Sequence, residues 1–139
     1  MNEVMSFDRQ KIMRLEVEMQ GMPNQIVPEV VHWFGHKSYV RQMTAPAGTV
    51  AVGKIHKFKQ VHVIISGEVS IYTDDGPVRI KAPCVFTAPA GSKRAAFFHE
   101  DTVWLTIHGS EKTDPEELED ELIAKTFEEF DQLCLEMKP

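Results

Sequence analysis

With 139 residues, 42% of them hydrophobic, the chain is long enough for one domain with a core of its own. No apolar run approaches the roughly eighteen residues of a membrane helix, and residues 1–20 are charged throughout, unlike a signal peptide. The net charge of −6 argues against nucleic-acid binding, since such a chain repels a phosphate backbone.

The charge is unevenly spread. Ten of the 21 acidic residues fall in 113–139, against Lys125 and Lys138, which leaves residues 1–112 with 11 acids and 13 bases, a balance of +2. An acidic tail therefore follows a mildly basic body. Cys84 and Cys134 match no metal or redox spacing and read as reduced, packed thiols of a cytoplasmic protein.

Along the chain, Ser6 is a helix N-cap candidate, and Ile12, Leu15 and Met19 repeat at helical spacing up to a stop at Gly21. Residues 22–28, with two prolines, read as a connector. Period-two runs follow at 39–44, 49–56, 61–65, 68–73, 78–80, 84–88, 94–98 and 102–108. Turn signals separate them: Ala45-Pro-Ala-Gly48, Ser66-Gly67, Asp74-Asp75-Gly76-Pro77, Pro89-Ala-Gly91 and Glu100-Asp101. Eight short strands so spaced predict a sandwich or barrel. Thr113-Asp-Pro-Glu116 reads as a capping box opening a helix with Leu118, Leu122 and Ile123 on its apolar face. Thr126 with Glu129 is a second box, before Phe127, Phe130 and Leu133. The layout is one domain: helix and connector over 1–38, barrel over 39–110, acidic helical segment over 111–139.

Gly48, Lys54, His56, Gln60 and Gly67 stand at the spacing G-x5-H-x-H-x3,4-E-x6-G, and Pro83, Pro89, Gly91, Arg94 and Phe98 at G-x5-P-x-G-x2-H-x3-N. In these two skeletons residues 39–108 resemble the cupin superfamily, which implies a mainly β jelly-roll barrel, here flanked by an N-terminal helix and one or two C-terminal helices. The stretch from Gly53-Lys-Ile-His56 through Pro89-Ala-Gly91 and Glu100-Asp-Thr-Val-Trp104 to His108 is also similar to small cupin-like proteins of tailed bacteriophages. Such a fold hosts isomerases, oxygenases, binding proteins and sensors, so function has to be argued from the site.

The resemblance implies a metal held by three histidines and a glutamate, and this chain keeps one of the four, His56. Lys54 replaces a histidine, Arg94 another and Gln60 the glutamate; neither cation offers a lone pair, so no cofactor is expected. A divalent metal is the alternative, at an improvised site drawn from His56, His62, His99 and His108. An unbroken strand would set Lys54, His56, Phe58, Gln60 and His62 on one face. Lys54 and Arg94 would then place two fixed positive charges in the barrel, which need a carboxylate or an anionic ligand. Glu68 is the one acid between Glu29 and Asp74.

The expected ligand is accordingly a small anion, such as a sugar phosphate, nucleotide or carboxylate, held near Lys54, His56, Gln60, His62 and Arg94. Tyr39, Arg41 and Trp104 are candidates to line the same pocket. Lys57 and Lys59 read as a solvated face. The expected protein is a binding or accessory protein, a homodimer without nucleic-acid or membrane partners. The competing reading is an isomerase, epimerase or lyase with His56 as acid/base, or a metal enzyme with a non-standard histidine site.

Overall fold

A computed structural model describes the backbone of residues 2–23, 25–73 and 76–137, with side chains from Arg9 onward except that of Thr73. The turn residues Asp74 and Asp75 lie outside the described residues. Helix α1 spans Asn2–Gln20, so Ser6 sits within it and does not cap it. It ends at Gly21, whose N–H returns to the Glu18 carbonyl at 3.2 Å. Among the described residues, no helix is long and apolar enough to cross a membrane.

Strand β1 (Glu29–Gly35) pairs with β2 (Ser38–Ala45) around a tight turn at His36-Lys37. Sequence periodicity misses β1, because Val30, Val31, Trp33 and Phe34 put apolar groups on both faces. The strand is a sheet edge, and Trp33 is 56% exposed. The stretch expected as one strand over 49–56 is two, β3 (Val50–Val52) and β4 (Ile55–His56), broken at Gly53-Lys54. Six strands then fall close to their turn-bounded positions: β5 (Gln60–Ser66), β6 (Glu68–Thr73), β7 (Gly76–Lys81), β8 (Cys84–Ala88), β9 (Ala95–Phe98) and β10 (Thr102–His108).

Two antiparallel sheets face each other, one ordered β1-β2-β10-β5-β8 and the other β3-β9-β6-β7. Between them Ala45, Ile64, Val69, Ile71, Ala96 and Phe98 form the core. Register arranges the inner face of the larger sheet in cross-strand rows. Val30, Met43, Trp104, Ile64 and Cys84 make an apolar row continuous with that core. His32, Arg41, Thr106, His62 and Phe86 make the next, and Phe34, Tyr39 and His108 the one beyond. Polarity thus rises toward one end of the barrel.

That end is covered by the C-terminal segment. Helix α2 (Pro115–Leu122) lays Leu118 and Leu122 on Tyr39. Its cap is Asp114, which accepts from the Glu117 N–H at 3.2 Å; Thr113, expected there, lies one residue outside. Ile123–Ala124 leaves the helix as a short strand, β11, pairing with β4. Helix α3 (Phe127–Glu136) is capped as its sequence predicts, with Thr126 Oγ1 accepting from the Glu129 N–H at 3.0 Å. Its Phe130 is buried with Ile55 and Ala124 and leans on Gly91, where an added Cβ would come within 2.5 Å of the ring. Arg9 of α1 forks onto Asp131 at 2.9 and 3.1 Å, and Lys93 pairs with Glu16 at 2.9 Å, so α1 is tied to both α3 and the barrel.

Candidate binding site

His56 is positioned by both motif segments at once. Its N–H donates to the Ser92 carbonyl at 3.2 Å, and its own carbonyl accepts from the Gly91 N–H at 2.7 Å. Its ring stacks on His108, centroids 5.4 Å apart, and meets His62 edge-on at 6.2 Å. His108 in turn stacks on Tyr39 at 5.9 Å, and Tyr39 on Phe34 at 5.7 Å. A ladder of near-parallel rings therefore runs from the edge strand to the middle of the barrel. The Tyr39 hydroxyl is 2.6 Å from His32 Nδ1.

All three clustered histidines are neutral at neutral pH. Burial lowers His56 to about 3, helped by the charges of His108, His62 and Arg41. It lowers His62 to about 4, with contributions from His108 and Arg94, and His108 to about 4, with one from Arg41. Desolvation disfavours imidazolium, and the neighbouring cations add to it. Burial also raises the Tyr39 hydroxyl, with Arg41 working in the opposite direction.

Arg41 faces inward with Thr106, opposite which it pairs. The ion pairs found among the described residues, Arg9–Asp131, Lys54–Glu119, Lys57–Glu129, Arg79–Glu68 and Lys93–Glu16, include neither Arg41 nor Arg94. Arg94 Nε is buried without a hydrogen-bond partner among the described residues, and so is His56 Nδ1. Buried polar groups are nearly always satisfied, so two such atoms in one cluster mark a place that expects a further partner.

Several residues expected at the site stand elsewhere. Lys54 is exposed and pairs with Glu119 of α2, because the strand break turns it outward; Phe58 is turned out too, 43% exposed. Gln60 does face in, only 2% exposed, but its amide is spent on the protein. In the orientation that satisfies its neighbours, the nitrogen donates to the carbonyls of Phe58 at 2.6 Å and Ala88 at 3.2 Å, and the oxygen accepts from Ser92 Oγ at 3.1 Å. His99 lies just past β9 beside the smaller sheet, where Nε2 is 2.7 Å from Ser70 Oγ. Glu68 is claimed by Arg79 at 3.1 Å. Lys57 is not simply solvated, since Nζ donates to the Asp120 carbonyl of α2 at 2.7 Å. Trp104 packs beside the core and donates its indole N–H to His62 Nδ1 at 2.9 Å. Sequence reasoning missed His32, which needed β1.

A metal centre does not fit this donor set. Among the described residues no three metal-ligating side chains are grouped to hold an ion. Gln60 offers no carboxylate, His62 Nδ1 is engaged by an indole, and the charges of Arg41 and Arg94 act on the same rings that would ligate a cation.

No protein-family model and no curated protein matches the sequence. Solved structures do match its shape. A cupin superfamily protein of Desulfitobacterium hafniense superposes with a TM-score of 0.52 at 16% identity, over 66% of this chain and 83% of the other. KdgF of Halomonas sp. gives 0.54 at 12% identity, over 66% and 87%. A putative ethanolamine utilization protein Q of Salmonella typhimurium gives 0.53 at 12%, over 63% and 72%. With its two facing antiparallel sheets and flanking helices, the chain has the cupin jelly-roll fold.

Proposed function

We propose that the chain is a cupin-fold binding protein for a small anionic molecule, one carrying a carboxylate or phosphate. It would serve by sequestering or sensing that molecule, as an accessory protein in a phage-like setting. One observation carries the reading: Arg94 Nε is buried with no hydrogen-bond partner among the described residues, and neither Arg94 nor Arg41, which shares the inner row with His32 and His62, has a carboxylate partner there. Leaving a buried guanidinium N–H unpaired is costly, and a planar oxyanion is the group an arginine fork accommodates best. Neutral His56, His62 and His108 add hydrogen-bonding sites without adding a carboxylate that would repel the ligand.

Catalysis by His56 has less support. A ring lowered to about 3 takes up a proton poorly at neutral pH, whereas a general base works best with a value near the working pH. The test is native mass spectrometry of untagged protein, with thermal unfolding in rising inorganic phosphate. A retained small anion, or a phosphate-dependent rise in Tm, each lost in Arg94→Ala, is the expected result. A stoichiometric divalent metal, or a protein indifferent to every carboxylate and phosphate tried, overturns the reading.

A further inference from the structure

We propose that Trp104 locks His62 in the tautomer protonated at Nε2, so that His62 presents the site with a hydrogen-bond donor, favours an anionic oxygen ligand and is withheld from divalent cations. The selectivity rests on the anion-binding reading above; the lock does not.

An indole N–H can only donate. At 2.9 Å from His62 Nδ1 it therefore fixes that nitrogen as the acceptor, and Thr106 Oγ1 lies 3.4 Å from the same atom. A neutral imidazole has one proton, which is left to Nε2. The ring is not free to turn over. It stacks on Phe86 with centroids 4.9 Å apart and planes 14° from parallel, and Trp104 meets it edge-on at 5.6 Å. A half-turn would offer a C–H to the indole and forfeit the bond. Nε2 has no hydrogen-bond partner among the described residues, so its N–H is the polar group His62 has to give.

A divalent cation needs a lone pair, and the only one His62 has points at Trp104. Arg41 and Arg94 are donors without lone pairs as well. The charged oxygens of a carboxylate or phosphate suit these three groups; a metal ion finds no lone pair on any of the three and would have to rely on His56 and His108 alone.

The lock is read directly by long-range ¹H–¹⁵N NMR of histidine-labelled protein at pH 7. An unprotonated Nδ1 and protonated Nε2 for His62 are expected; an Nδ1–H tautomer, or a mixture of the two, overturns the lock. Selectivity is read by titrating untagged protein and Trp104→Phe, which keeps an aromatic ring but not the N–H, with inorganic phosphate and with Zn²⁺. The variant is expected to show mixed His62 tautomers, about tenfold weaker phosphate binding and about tenfold tighter zinc binding. Unchanged affinities for both, or zinc binding to the wild type that perturbs the His62 signals, overturn the selectivity. Phosphate failing to bind either protein while His62 stays protonated at Nε2 sinks the anion reading and leaves the lock standing. If the variant does not fold, the wild-type tautomer and zinc titration decide alone.

Discussion

His56 and His108 stack face to face within the barrel, centroids 5.4 Å apart and ring planes 21° from parallel. Neither can become imidazolium without placing its charge against the other, with Arg41 acting on both. The unfolded chain, with histidines near 6.5, binds protons that the folded state refuses until about 4 or 3. Stability is therefore complete above the unfolded value and is lost as pH falls from there through the folded values. Each such histidine contributes about 1.4 kcal/mol of loss per pH unit below 6.5. Urea midpoints should be level from pH 9 to 7 in this respect and drop between pH 6.5 and 4.5. His108→Phe, which keeps a stacking ring, should reduce that drop by about a third. An acid limb unaltered by this change would mean the loss arises elsewhere.

Arg94 sets binding against stability. Its Nε is buried without a hydrogen-bond partner among the described residues, so Arg94→Met keeps an apolar stem and removes an unpaired buried N–H. The unliganded variant should unfold about 1 kcal/mol later than wild type, while its Tm no longer rises with phosphate. Differential scanning calorimetry with and without phosphate measures both effects. A variant that is destabilised without phosphate would show that the guanidinium is already satisfied.

Lys54 and Lys57 should part company. The Lys54–Glu119 pair joins two exposed side chains, so Lys54→Ala should change stability by no more than about 0.5 kcal/mol and leave phosphate binding intact. Lys57 is only 17% exposed and caps the Asp120 carbonyl at 2.7 Å, so Lys57→Ala should cost about 1 kcal/mol. It should also speed amide exchange in α2. Equal effects from the two substitutions would contradict this distinction.

Gly91 combines two requirements. Its φ of +84° is strained for any L side chain, and a Cβ would press on Phe130, which anchors α3. Gly91→Ala should cost about 2 kcal/mol or more in denaturant unfolding and loosen α3 first. Phe130→Leu in the same background should recover part of the loss by making room for the methyl group.

Much of the barrel could be read from the sequence because turn chemistry is local: Ser66-Gly67 and Pro89-Ala-Gly91 separate strands wherever they occur. β1 escaped because an edge strand with apolar groups on both faces has no period to detect. The site was legible in part. His56 and Arg94 follow from motif spacing, and Tyr39 and Arg41 from strand alternation; Trp104, expected to line the pocket, packs beside the core and meets the cluster only through His62. Lys54 was misplaced because Gly53-Lys54 interrupts the strand, and alternation does not carry across a break. Gln60 was read as free to bind, since its partners, the Phe58 and Ala88 carbonyls and Ser92, meet it only in the folded chain. The Trp104–His62 bond depends on register across β10 and β5, which a bulge beside Trp104 shifts.

The order of the chain gives the covering segment a role in time. Synthesis from the N-terminus delivers every ring and guanidinium of the pocket by His108, before Leu118 and Leu122 exist to lie on Tyr39. While β10 is leaving the ribosome, the polar end of the barrel has its full set of groups and no roof. The helices made afterwards then close that end.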